Sequence, residues 1–299
     1  MIRSGKEEFR DMSVTEQEAY IQELASVNTD WIDLLFRTAV STNHYLSFSG
    51  GSEKNTYYVS FGYSKDNGAV KKTDYDRYNL SGKIDANPNK HLHFQLGFDM
   101  AMQNSTGPST DPFSYAYFAN PYERPFNEDG SYRADYTYYK LPKVNGSYDP
   151  TIPPNGFNML REMNETESKT DNFSITSRFN LDYSFFKQLK FSGLASYSFT
   201  NNKSDNYKGK DTYAAFVDRL YFDTWGNSSR TYSSISQSNT NNSSYSLRGQ
   251  LSYSDVYREI HRFSVLAGAE IRGEKAEGIF EKRYGYDPGT GNSAMPVPK

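Results

Sequence analysis

Residues 91–102 alternate apolar and polar side chains over twelve positions. Apolar residues occupy the even positions from Leu92 to Met102, and polar or small residues occupy the odd positions from His91 to Ala101. Because side chains alternate across a β-strand, this pattern predicts a strand with one apolar and one polar face. Soluble strands usually have about 5–6 residues, whereas a tilted strand that crosses a bilayer needs about 9–11. The length therefore favours a membrane-crossing strand.

The same alternation recurs along the chain and predicts eight strands. They cover residues 44–49, 56–64, 76–86, 91–102, 172–185, 189–200, 243–254 and 262–272. Two departures from the pattern are Leu194 and Leu266, which lie on the polar faces of their strands. Residues 1–43 instead have helical spacing, with a capping box at Ser13 to Glu16 and a second helix start within Asn28-Thr29-Asp30.

The connections between the predicted strands alternate between short and long. The long ones are residues 65–75, 103–171 and 201–242. In an antiparallel sheet, alternate connections lie at opposite ends, so all long loops lie at one end and all short turns at the other. Outer-membrane barrels have this asymmetry, whereas loops of this length are uncommon in compact soluble domains. Tyrosines near the strand ends, such as Tyr245 and Tyr253, suit a membrane interface.

Composition adjusts this picture only in part. The chain has 299 residues, 36% of them hydrophobic, and no cysteine. The net charge of −3 gives no basic footprint for nucleic acid, and the absence of cysteine excludes a disulfide scaffold or a thiolate metal site. We therefore predict an all-β fold, an antiparallel transmembrane β-barrel segment with long extracellular loops and a short helical N-terminal stretch. The alternative is a soluble β-sandwich or β-solenoid, whose strands also alternate.

Three regions follow from these patterns. Residues 1–43 form a helical segment before the strands, residues 44–272 form a partial barrel, and residues 273–299 form a truncated loop. The N-terminus lacks the apolar run of a signal peptide, and no closing strand follows Ile271. We therefore expect a fragment that forms an arc of a larger barrel.

Several segments together resemble the SusC/RagA family of TonB-linked outer-membrane proteins. In chain order they are Thr29-Asp30-Trp31 with Phe36-Arg37, the stretch from His44 to Ser52, Tyr57 to Tyr63, Asp66-Asn67-Gly68, Thr73 to Leu80, and Asn120 to Tyr132. The resemblance is specific over about residues 28–132 and weaker, but in register, to residue 272.

This resemblance implies a 22-strand barrel, of which this chain would supply about eight strands. It also implies import of oligosaccharides or peptides across the outer membrane of a Gram-negative cell, with a SusD-like surface lipoprotein acting as a lid. Energy would come from the TonB complex, through regions that this chain lacks. No cofactor is implied.

Two short motifs have possible metal chemistry. His91 and His93 lie two residues apart on the predicted polar face, but no third ligand is evident, so two ordinary polar residues are the favoured interpretation. Residues 127–130, Asn-Glu-Asp-Gly, suggest a calcium loop but lack the ligand spacing of an EF-hand, and a turn is the default. We therefore assign no metal site.

The long loops carry the candidate ligand-binding residues. Flat aromatic rings on loops can stack on sugars, and the candidates are Tyr115, Tyr117, Tyr122, Tyr221 and Trp225. The alternative is that these rings pack the loops against each other or against a lid. No catalytic arrangement of nucleophile, base or paired carboxylates stands out, so the chain is not expected to be an enzyme.

Three functions compete at this point. The first is part of a TonB-dependent nutrient importer, and the second is a passive porin or structural barrel. The third is a soluble carbohydrate-binding β protein, which would fold in buffer without detergent. The barrel pattern and the family resemblance together favour the importer.

Overall fold

The computed structural model describes residues 12–135, 143–144, 147–148, 156–223 and 232–293. Its five helices are α1 (Val14–Ala25), α2 (Trp31–Leu35), α3 (Pro112–Phe118), α4 (Met159–Glu165) and α5 (Tyr213–Asp223). Its ten strands are β1 (Val40–Gly51), β2 (Asn55–Asn67), β3 (Asp74–Asn89), β4 (Leu92–Gly107), β5 (Lys143–Val144), β6 (Ser147–Tyr148), β7 (Thr166–Phe186), β8 (Leu189–Lys208), β9 (Ser234–Tyr257) and β10 (His261–Tyr284).

Eight of the strands form one antiparallel sheet in the order β1-β2-β3-β4-β7-β8-β9-β10. Each strand pairs with the strand before and after it in this order, and β5 and β6 form a separate two-stranded ribbon. Among the described residues, β1 and β10 have no pairing partner on their outer sides, so the sheet is open. The predicted all-β class and antiparallel arrangement are confirmed.

The strands extend further at the long-loop end than the sequence predicts. Strand β8 continues to Lys208 and β9 begins at Ser234, so both ends of the predicted loop 201–242 are strand. Strand β10 likewise continues to Tyr284, through a region predicted as loop. Both faces are polar in most of these extensions, so the apolar alternation that marks a strand is absent. Pairing continues there without a register shift, and the Asn201 amide donates to Asn239 Oδ1 (2.6 Å).

Strand register joins the apolar side chains of separate strands into continuous rows on one face, the apolar face. One row runs across six strands through Leu46, Phe61, Leu80, Met100, Ile175 and Phe199. A second row runs across seven strands through Tyr57, Ile84, Leu96, Phe179, Ala195, Leu247 and Ile271. The alternate residues form the opposite, polar face.

The apolar face is exposed. Leu46 is 56% exposed and Ile271 is 62% exposed, although both lie within these rows. Large apolar side chains are usually buried, and a contiguous exposed patch of them marks an interaction surface. The sheet therefore presents a broad apolar surface that the described part of the chain leaves uncovered.

The helices lie at the long-loop end or before the sheet. Ser13 and Glu16 form the predicted capping box of α1, and Asp30 caps α2, so both predicted helix starts are confirmed. In the described residues, no helix has both the length and the apolar character needed to span a membrane. Among the described residues, a buried apolar cluster lies among α2, α3 and α4.

Candidate functional site

Helices α2, α3 and α4 pack together at the long-loop end and form the loop cluster. Its buried side chains come from three separate stretches of sequence: Trp31, Leu35, Tyr115, Phe157, Met159 and Met163. The Trp31 and Tyr115 rings meet edge to face at 5.0 Å, and Tyr115 lies 5.5 Å from the Phe157 ring. These contacts hold the long loop after β4 against the helical segment before β1.

Hydrogen bonds join the segments that carry the family resemblance. Thr29 donates from its backbone N–H to the Pro121 carbonyl (2.7 Å) and from its hydroxyl to the Glu123 carbonyl (2.7 Å). The Trp31 indole donates to the Asn120 carbonyl (3.1 Å). Residues 29–31 and 120–123, about 90 positions apart, are thus one structural unit.

A buried carboxylate ties the loop after β4 to the loop after β8. Glu162 on α4 accepts hydrogen bonds from the backbone N–H groups of Tyr213 (2.6 Å) and Ala214 (3.2 Å), the first residues of α5. It therefore caps the N-terminus of α5 from another loop. Burial raises the pKa of Glu162, and the two N–H donors oppose this shift only in part. The Gly209 N–H also donates to the Glu165 carbonyl (2.8 Å).

An ionic tether holds α5 against the sheet. Asp218 on α5 accepts from Lys208 on β8 (3.1 Å) and from Lys282 on β10 (2.9 Å). Ser234 on β9 donates to the same carboxylate at 3.5 Å. Because pairing along these strands has no register shift, Lys208, Ser234 and Lys282 all lie on the polar face. Helix α5 therefore lies over the polar face at the long-loop end.

The predicted loop aromatics have different environments. Tyr115 is fully buried, and its hydroxyl donates to Asp135 (2.7 Å), so its ring packs the loop cluster and offers no open surface. Tyr117 is 82% exposed. Tyr122 is half-buried, and burial raises its pKa. Tyr221 lies on α5, but its side chain is not among those that the structure describes. Trp225 lies outside the described residues.

The exposed face of α3 carries two further rings, Phe113 and Phe118. The Tyr117 and Phe118 rings meet edge to face at 4.9 Å, and Phe113 lies 4.8 Å from Phe36. Periodicity gives a signal for this face, since α3 has Pro112 and Tyr115 buried on one side and these rings on the other. The helix therefore combines a packing face with an open aromatic face.

The polar face has a charged network near the short-turn end. His93 on β4 lies between Asp85 on β3 (3.3 Å) and Asp182 on β7 (3.5 Å). Lys190 on β8 also contacts Asp182 (3.2 Å), and Gln95 donates to Asp85 (3.0 Å). The network thus links four neighbouring strands across the polar face.

Neither short motif gathers metal ligands. His91 lies in the turn before β4, where its Nδ1 is 2.7 Å from the Ser184 carbonyl. Residues 127–130 form a turn in which the Gly130 N–H donates to the Asn127 carbonyl (3.0 Å). The Asp129 carboxylate is occupied by the Ser131 N–H (2.9 Å). The part of the chain that is described has no group of three or more His, Cys, Asp or Glu residues able to hold a metal ion.

Comparison with known sequences gives related receptors. No sequence-family profile matches the chain. The chain is 49% identical over 59 residues to TonB-dependent receptor SusC of Bacteroides thetaiotaomicron, covering 20% of this chain and 6% of SusC. It is 25% identical over 261 residues to TonB-dependent receptor P26 of Formosa agariphila, covering 86% of this chain and 24% of that receptor. TonB-dependent receptor P3 of the same organism is 28% identical over 214 residues, covering 68% of this chain and 20% of P3.

Comparison with solved structures gives the same fold. The chain matches the RagAB peptide importer in its closed-closed state with a TM-score of 0.63 and 18% identity, covering 87% of this chain and 27% of that one. It matches the RagAB peptide transporter with a TM-score of 0.64 and 16% identity, covering 92% and 31%. The chain spans a quarter or less of the curated relatives. The resemblance to SusC/RagA-type TonB-dependent receptors is confirmed.

Proposed function

We propose that this chain forms part of the wall of a TonB-dependent outer-membrane nutrient importer. The observation that carries the proposal is the set of apolar rows that cross up to seven strands and remain exposed on one face. Each large apolar side chain left in water forgoes roughly 1.5–3 kcal/mol of burial free energy. A lipid bilayer covers such a face without any further protein.

The height of the apolar face agrees with a bilayer. On β4 the apolar residues run from Leu92 to Met102, a span of about 33 Å at the rise of a β-strand. At a tilt of about 45°, that span corresponds to about 23 Å along the membrane normal. Transmembrane barrels have an apolar band about 25 Å tall, so the band fits one bilayer crossing.

The polar face and the loops match the lumen side and the two ends of a barrel wall. The polar face would line the lumen, with the short turns on the periplasmic side and the loop cluster outside the cell. The strand extensions beyond the apolar band would then project above the bilayer. In this arrangement α5 lies over the lumen, where it narrows the outer mouth.

Partners and substrate follow from the same proposal. The RagAB structures are described as a peptide importer, and the sequence relatives as TonB-dependent receptors, which supports energised import. The proposed substrate is an oligosaccharide or a peptide. The proposed partners are a SusD-like lipoprotein over the loop cluster and the TonB complex, which supplies the energy. Tyr117 is the most exposed of the candidate aromatics whose side chains are described and is a proposed ligand contact, together with Tyr122, Tyr221 and Trp225.

The test is uptake by cells that carry or lack the complete protein. Labelled oligosaccharides and labelled peptides are supplied in parallel, with and without a proton uncoupler, and membrane fractions are probed for the protein. An importer gives uptake that requires both the protein and the proton gradient. Uptake that survives the uncoupler indicates a passive porin, and recovery of the protein in the soluble fraction indicates a soluble binding protein. Either result overturns the proposal.

A further inference from the structure

The polar face changes character between its two ends. Near the short turns it carries charged residues such as Asp85, His93 and Asp182. Toward the long loops, strands β7, β8 and β9 place five successive rows of three residues on this face, and every one is Ser, Thr or Asn. This neutral patch consists of Ser168, Asn206 and Ser236; Thr170, Ser204 and Ser238; Asn172, Asn202 and Thr240; Ser174, Thr200 and Asn242; and Thr176, Ser198 and Ser244.

The neutral patch contrasts with the opposite face of the same sheet. At the same height on the opposite face, β7 carries the pair Lys169 and Asp171 (3.7 Å). Strand β8 carries the pair Lys203 and Asp205 (3.5 Å). Beside the upper rows, β7 and β8 are therefore charged on one side and uncharged on the other, whereas β9 is uncharged on both sides. An ordinary water-exposed surface mixes charges on both faces, so the segregation indicates that the uncharged side has a different contact.

Most hydrogen-bonding groups of the neutral patch are open. Thr176 and Ser198 contact each other at 3.1 Å. The other side chains of the patch form no hydrogen bond with any side chain that the structure describes. Hydroxyl and amide groups both donate and accept, so the patch offers both partners to a ligand rich in hydroxyl groups. Five rows on three strands cover about 27 by 10 Å.

An exposed aromatic ring lies at the edge of the neutral patch. Phe280 on β10 pairs directly with Ser238, lies on the polar face and is 71% exposed. Its neighbours on that face, Gly278 and Ala276, pair with Thr240 and Asn242. A Cβ atom added to Gly278 would lie 3.4 Å from Thr240 Oγ1, which confirms that Gly278 faces the patch. The small residues leave open space beside the ring.

We propose that the neutral patch and Phe280 form a binding site for an uncharged oligosaccharide. The ring supplies a flat apolar surface for the C–H face of a sugar, and the patch supplies hydrogen bonds to the sugar hydroxyls. Among the described residues, the polar-face neighbours paired directly with the three central rows carry no cation to hold an acidic sugar; they are Ser105, Gln103 and Ala101 on β4 and Phe280, Gly278 and Ala276 on β10. Lys282, beside the first row, is held by Asp218. This inference rests on the proposed importer and narrows its substrate class.

The binding test uses the complete receptor purified in detergent. The probes are a panel of neutral linear oligosaccharides, a panel of oligouronates and a pool of peptides, with affinities measured by calorimetry. We expect neutral oligosaccharides to bind, and we expect Phe280→Ala to weaken their binding about tenfold. The matched control is Ile279→Ala, since Ile279 is 76% exposed on the opposite face. Asn202→Leu should weaken binding about fivefold, whereas Asn239→Leu on the opposite face should not.

Several results overturn the inference while the importer stands. The first is binding of peptides or oligouronates in place of neutral oligosaccharides. The second is that Phe280→Ala and Ile279→Ala bind neutral oligosaccharides with equal affinity. The third is that no probe binds although energised uptake persists in cells. Failure of the importer itself appears differently. In that case the native protein gives no energised uptake of any nutrient in cells, whatever its affinity in detergent.

Discussion

Replacing Glu162 should release α5 from the loop cluster. Glu162 is 2% exposed, and its carboxylate accepts from two backbone N–H groups at 2.6 and 3.2 Å. Glu162→Ala leaves both donors without this acceptor, and each donor that stays buried costs about 1–3 kcal/mol of stability. Because water can reach a helix end once it loosens, we expect a total of about 2–4 kcal/mol. That cost corresponds to a roughly 30- to 1,000-fold larger equilibrium constant for the opening of α5.

The assay is amide hydrogen exchange of the complete protein in lipid, with the α5 amides followed by mass spectrometry. Glu167→Ala is the control, because Glu167 is exposed and lies only five positions from Glu162. We expect faster exchange in α5 for Glu162→Ala and native exchange for the control. Unchanged protection of the α5 amides in Glu162→Ala would refute the capping role. An equal loss of protection in both variants would show that the effect is not specific to the Glu162 carboxylate.

The pH dependence gives a second test of the same contact. Burial raises the pKa of Glu162 in the folded state above its usual value near 4.5. The folded state therefore binds the proton more tightly than the open state, and docking of α5 is most stable below pH 4.5. Its stability decreases as the pH rises through the raised folded value. Glu162→Gln should remove this decrease, and an identical pH profile in native and variant proteins would contradict the assignment.

Two further predictions test the loop packing and the orientation of the sheet. Tyr115→Phe removes the 2.7 Å hydrogen bond to Asp135, so α3 amides should exchange about tenfold faster or more, while Tyr117→Phe on the exposed side should have no effect. Leu247→Arg places a charge on the apolar face and should destabilise the protein in liposomes by about 2–4 kcal/mol in urea titrations. Ser246→Arg, on the polar face, should cost less than about 1 kcal/mol, and equal costs would contradict the proposed orientation.

Strand alternation was sufficient to predict the sheet wherever one face is apolar. The pattern from Leu92 to Met102 places β4 within a few residues of its observed ends. The extensions at the long-loop end were missed because neither face there is consistently apolar. A different signal marks them: opposite charges two residues apart, which lie on one strand face. Lys169 with Asp171 on β7, and Lys203 with Asp205 on β8, are examples.

The loop cluster could not be predicted from local sequence patterns. Tyr115 was proposed as a ligand contact, since a tyrosine in a loop gives no sign that Trp31 and Phe157 will cover its ring. Similarly, Glu162 and α5 are far apart in sequence, so the capping contact depends on tertiary structure. Phe280 was overlooked because residues 273–299 were predicted as loop, and its face becomes evident only from the register of β10 on β9.

The most direct test of the account is a spin-label scan of β9 in the lipid-reconstituted protein. This chain has no cysteine, so once any cysteine elsewhere in the protein is replaced by serine, single cysteines from Tyr245 to Tyr253 can be labelled individually. We predict a period of two: labels at Tyr245, Leu247 and Leu251 contact oxygen dissolved in lipid, and labels at Ser246 and Gln250 contact a water-soluble nickel chelate. A scan without alternation, or labels at Leu247 and Leu251 that reach the nickel chelate as readily as those at Ser246 and Gln250, would contradict the membrane-wall assignment.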